Sequence, residues 1–200
     1  MTWDTKEEAI DAIRENDDFT KERFENFRDD KEVVLEAIKK DAWYLFHSNF
    51  ENLENKDVVE KAIRTDHNVV QGLSEEIRNN KELMMVAVSE ASNNYKYVGD
   101  DLRADKDIVI ATIKGTPSQI KYAPLELRTD KEFILTALKE LEHHDDRRAL
   151  VNNSSKKIIE IAGGYDSDPV KAIESNILAE KLQNELAQKQ ELKQSKKMKI

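Results

Sequence analysis

Lysine returns every 25 residues along this chain, at Lys6, Lys31, Lys56, Lys81, Lys106, Lys131 and Lys156. Lysine fills only 23 of 200 positions, so seven in register mark an internal repeat. The period restricts the fold severely. A unit this short cannot bury an apolar face by itself, and only stacking on its neighbours supplies a core.

The residues around each lysine identify the unit. Before the lysine stand Thr5, Asp30, Asn55, Asn80, Asp105, Asp130 and Ser155. All are helix N-caps, whose side-chain oxygens accept the free N–H groups of a first turn. Two residues after the cap come Glu7, Glu32, Asp57, Glu82, Asp107 and Glu132, where a carboxylate opposes the positive end of the helix dipole. Lys157 breaks that pattern in the seventh unit. Seven residues after the cap stand Ala12, Ala37, Ala62, Ala87, Ala137 and Ala162, with Thr112 as the exception. The next position holds Ile13, Ile38, Ile63, Val88, Ile113 and Leu138. Val34, Ala37 and Ile38 show the i, i+3, i+4 spacing of one helix face, and the small alanine lets a neighbouring helix approach closely.

The second half of each unit is looser. It carries one apolar residue at Leu45, Val70, Tyr95 or Ile120 and another at Phe27, Ile77, Leu102 or Leu127, with repeat two slipping by one to Leu53. A separation of seven residues on a helix gives one face, so the expected unit is a helix of about ten residues, a turn and a helix of about eight. The predicted fold is all-α: an α-solenoid of about seven 25-residue helix-turn-helix repeats with a longer C-terminal capping helix. The repeat domain spans 5–175, and 176–200 form the end of that helix and a basic, disordered tail. The seventh unit departs at Gly163-Gly164; Asp168 then caps a new helix with Pro169 at its first position, running to about 193. Ile173, Ile177, Leu178, Leu182, Leu186 and Leu192 fall largely along one side of it, read as a cover for the last repeat or as a coiled-coil or docking helix.

The strings DKEVVLEAIK, NKDVVEKAIR, NKELMMVAVS, DKDIVIATIK and DKEFILTALK, with the closing phrases LRADK and LRTDK, resemble a tandem-repeat family of unknown function. That family is built on a D-K-E-x-V-x-x-A-V unit closed by an A-x-x-x-L-R phrase, and the likeness covers about residues 5–153. The resemblance implies a helical repeat module, of a kind present in effector-like proteins of intracellular bacteria and in protist and large-virus proteins. It brings no catalytic residues.

Several functions are made improbable by composition. There are no cysteines, which removes disulfides and thiolate chemistry. No run approaches the roughly 18 apolar residues of a membrane span, and the beginning, MTWDTKEEAIDAI, has neither a basic nor an apolar leader region. A net charge of −9 argues against general nucleic-acid binding. Residues 176–200 are an exception, with six lysines and three glutamates, and Lys189, Lys193, Lys196, Lys197 and Lys199 form a basic or simply solubilising tail. His143-His144-Asp145-Asp146 looks most like a metal site. Adjacent helical positions diverge by about 100° and give no i, i+4 pair, so no metal or cofactor is expected. The repeated lysines are expected to pair with acids of adjacent units.

These features point to a non-enzymatic protein–protein interaction or scaffold module in a cytosol, either its own cell's or a host's. An enzyme or nucleic-acid-binding repeat with a site assembled across units is the alternative. The turn between the first and second helix of each unit varies most, and Trp43, beside Tyr44, stands where neighbouring repeats carry Asn68, Asn93 and Ser118. Trp43 and Tyr44 are the partner-binding candidates, because exposed aromatics are enriched among binding hot spots. The competing expectation turns Trp43 inward against Phe24 and Phe27.

Overall fold

The computed structural model describes residues 4–15, 24–163 and 167–197. Side chains from 192 onward and that of Phe50 lie outside the description. This leaves out Gly164, Leu192 and the tail lysines Lys193, Lys196, Lys197 and Lys199. No strand occurs among the described residues. The chain divides into two compact units, Met1–Gly115 and Thr116–Ile200.

In the first unit the lysine-led helices are α1 (Lys6–Glu15), α2 (Lys31–Lys40), α3 (Lys56–Thr65), α4 (Lys81–Glu90) and α5 (Lys106–Gly115), each of ten residues. Their starts are set by the predicted caps. Asp30 accepts from the backbone N–H of Glu32 and Val33, Asn80 from Glu82 and Leu83, and Asp105 from Asp107 and Ile108. Thr5 and Asn55 each accept from the third residue beyond them. The ends of α2, α3 and α4 need no glycine. Asp41, Asp66 and Ala91 return an N–H to Ala37, Ala62 and Ala87, then turn the chain in extended conformation.

Consecutive helices pack side by side from α1 to α5. The contact uses the positions that the sequence marks. Val33, Val34, Ala37 and Ile38 are fully buried, as are Val58, Val59, Ala62 and Ile63. Thr112 replaces the alanine in α5 and satisfies its buried hydroxyl by donating to the Ile108 carbonyl at 2.8 Å. Burying each valine or isoleucine contributes roughly 1.5–3 kcal/mol. Ala12 is only half-buried in α1.

The repeated lysines bridge adjacent units. Lys6 reaches Asp30 and Glu32, Lys31 reaches Asp57, Lys56 reaches Glu82, and Lys81 reaches Asp105 and Asp107. Each lysine thus meets the acid two residues beyond the next cap, and two of them also meet the cap itself. The neighbouring carboxylates raise the proton affinity of Lys6 and Lys81. The pairs are exposed and add little stability; their regular spacing neutralises the rim.

The second half of the unit differs from the expected eight-residue helix. It holds a six-residue 3₁₀ helix (Ala42–His47, His67–Gly72, Ser92–Tyr97), then two linking residues, then a single helical turn (Phe50–Glu54, Glu75–Arg78, Asp100–Leu102). The first linking residues, Ser48, Leu73 and Val98, are buried. Asn49 and Ser74 then cap the final turn. Repeat two does not slip. Asn52, not Leu53, occupies the inner position of Ile77, and its buried amide donates to the Arg28 carbonyl at 3.1 Å.

The second unit contains α6 (Lys131–Lys139), α7 (Lys156–Ala162) and α8 (Pro169–Lys197), with the helix His144–Asn152 between α6 and α7. Asp130, Ser155 and Asp168 cap α6, α7 and α8 as predicted. α7 stops after seven residues at Gly163, whose φ of 77° suits glycine. The helix that packs along α6 is α8. Lys157 stands where the partner acid of Lys131 would be, and α8 supplies the replacement: Lys131 bonds Glu180 and Asn176. Lys181–Glu132 and Lys139–Glu174 complete the junction.

Candidate partner-binding surface

Three residues per turn give a 3₁₀ helix three distinct faces, because side chains at i and i+3 eclipse. In Ala42–His47 the inner face is Ala42 and Leu45, both buried. A second face carries Tyr44 and His47, with rings 5.9 Å apart. The third carries Trp43 and Phe46, with rings 5.5 Å apart and tilted by 45°. Asp41 starts the turn, its Oδ1 accepting from the Trp43 backbone N–H at 2.9 Å.

Trp43 is 38% exposed. Its indole N–H donates across to repeat three, to Asp66 Oδ2 at 3.1 Å. Asp66 also accepts from the backbone and side-chain N–H groups of Asn68, at 2.9 and 2.8 Å. The Asn68 backbone bond is the main reason this carboxyl stays below its ordinary range; burial opposes it, and the Asn68 amide and Trp43 indole add to the lowering. An ionised Asp66 therefore fixes the indole from one edge.

The inward placement of Trp43 is overturned. Tyr44, half-buried, takes that place, with its ring edge-on to the buried Phe24 at 5.1 Å. Asn68 and Asn93, at the equivalent position in the next two repeats, are exposed as well. Phe46 was not singled out by sequence; spacing by three would have paired it with Trp43. Its ring lies over Gly72, where an added Cβ would come within 2.7 Å of Phe46 Cζ. Phe46, Leu53, Glu54, Gly72, Leu73 and Ser74 line a groove. Trp43 and Phe46 thus form one continuous aromatic surface between repeats two and three.

On the outer side of α1–α3, Arg14 and Lys39 both bind Glu36, at 3.1 and 2.5 Å, and Lys39 foremost lowers the Glu36 carboxyl. His143 and His144 are exposed, and His144 Nδ1 lies 3.9 Å from Asp145 Oδ1. Among the described residues no group of three or more His, Asp or Glu is placed to hold a metal ion. None of their helices is long and apolar enough to cross a membrane.

Two adjacent segments, 55–103 and 105–142, match the family described as Domain of unknown function (DUF4116). Both begin on a cap, Asn55 and Asp105, so the first match covers repeats three and four and the second begins with repeat five. Neither a curated protein nor a solved structure matches the chain.

Proposed function

We propose that this chain is a non-enzymatic protein-interaction module and that the Trp43–Phe46 surface is its contact point. The observation that carries the proposal is Trp43: an aromatic more than a third exposed, yet held by a hydrogen bond to the next repeat. Holding the ring beforehand lowers the entropy lost on binding, and tryptophan is the residue type most enriched among hot spots. The groove beside it suits an apolar side chain of a partner. Tyr44 contributes by anchoring the turn on Phe24. A cytosol, of its own cell or of a host, is the setting in this reading, since a chain without cysteines suits a reducing compartment.

Trp43→Ala and Phe46→Ala test it. Affinity-capture proteins enriched by the native chain are expected to weaken by about 2 kcal/mol, roughly thirtyfold in Kd. The loss of stability for Trp43→Ala should fall short of the about 3–5 kcal/mol of a fully buried tryptophan. A partner that binds both variants with native affinity contradicts the assignment.

A further inference from the structure

The strongest unexplained surface is on α8. This helix is 29 residues long, but only its beginning is fixed to the repeats. Ile173 is completely buried, and Glu174, Asn176, Glu180 and Lys181 bond to α6. Every residue from Leu178 to Glu191 is exposed. Within that stretch Leu178, Leu182 and Leu186 are 58%, 51% and 59% exposed. At about 100° per residue, steps of four keep these leucines on one narrow stripe. Leu182 lies nine residues beyond Ile173, about 180° around the helix, so the single apolar side expected from the sequence is split: Ile173 is buried and Leu178, Leu182 and Leu186 are exposed. α8 is thus two-faced: one side is seated on the repeats and the opposite side is apolar and uncovered. An isolated helix shorter than about 12–15 residues is marginal in water, so the part beyond Lys181, exposed throughout 182–191, gains order from a cover.

We infer that the cover is the same stripe on a second copy of this chain, with the two α8 helices antiparallel about Leu182. The stripe is self-complementary in this arrangement. Leu182 meets Leu182, and Leu178 meets Leu186 of the other copy, as a twofold contact requires. The charges select the direction. Antiparallel pairing brings Lys189 beside Ser175 and Glu174 of the second copy, and Glu185 opposite Ala179. Parallel pairing would set Glu185 against Glu185 and Lys189 against Lys189, which repel. Six leucines and the adjacent stems bury on the order of 1,000 Å², near the lower limit for a specific interface. The dimer is accordingly weak, forming at micromolar concentrations, and uses a surface distinct from Trp43 and Phe46.

Sedimentation of the full chain from about 1 to 500 µM tests this. The native protein is expected to pass from monomer to dimer, and Leu178→Lys/Leu182→Lys/Leu186→Lys to remain monomeric with the repeats folded by circular dichroism. The chain has no cysteine of its own, so direction is tested by mixing Ala179→Cys with Glu185→Cys under mild oxidation. The mixed disulfide is expected to exceed either symmetric one. A native monomer throughout the range overturns the inference. So does a dimer that survives the triple substitution, or a dominance of symmetric disulfides. Leucine-dependent binding of a monomer to anionic phospholipid vesicles would assign the stripe to a lipid surface instead.

Discussion

Ala62→Leu and Ala87→Leu should each destabilise the chain by about 1–3 kcal/mol, the usual cost of forcing methylenes into a filled core. Both alanines are completely buried. Ala62 lies on α3 between α2 and α4, and Ala87 on α4 between α3 and α5. Neither neighbour is free to move away without disturbing the next helix. The carbonyls of both also close their helices by accepting from Asp66 and Ala91. Ala179→Leu, on the exposed part of α8, should cause no loss. Urea denaturation followed by circular dichroism makes the comparison. Equal, small effects at all three sites would mean that the alanine spacing has no packing role.

Ile63→Ala should cost still more, about 2–5 kcal/mol. Ile63 is completely buried beside Ala62, so truncation leaves a cavity that two flanking helices hold open. Leu178→Ala removes the same kind of side chain from a site 58% exposed and should stay within about 0.5 kcal/mol in the monomer. The same denaturation measurement reads both, and a cost at Ile63 no greater than at Leu178 would contradict the packing described for α3.

The first half of each unit was legible because its signals are local. A cap, a charged first turn and a 3.6-residue apolar spacing fall within ten residues, and α2–α5 begin and end where these signals place them. The second half was misread because two residues seven apart, such as Val70 and Ile77, also satisfy a helix. They belong instead to a 3₁₀ helix and a separate turn, divided by Leu73 in extended conformation. Ser74, a third cap in the unit, was the available signal. Leu53 drew the register of repeat two by its apolarity. The partner that makes Asn52 acceptable inside, the Arg28 carbonyl, lies 24 residues away. Asn68 and Asn93 made an outward Trp43 one of two open readings, the other turning it inward against Phe24 and Phe27. The bond of Trp43 to Asp66 and its pairing with Phe46 depend on the 3₁₀ geometry and on the next repeat. Lys157 signalled that the pattern fails at α7, but not that α8 would supply the missing partner for Lys131.

Residue-by-residue amide hydrogen exchange measured by NMR reads the 25-residue repeat along the chain. Slow exchange should recur with a period of 25, in the hydrogen-bonded amides of α2, α3, α4 and α5. The 3₁₀ segments Ala42–His47, His67–Gly72 and Ser92–Tyr97 should exchange faster between these maxima. Protection without that period, or a continuous protected helix running through Ser48, Leu73 or Val98, would contradict the architecture.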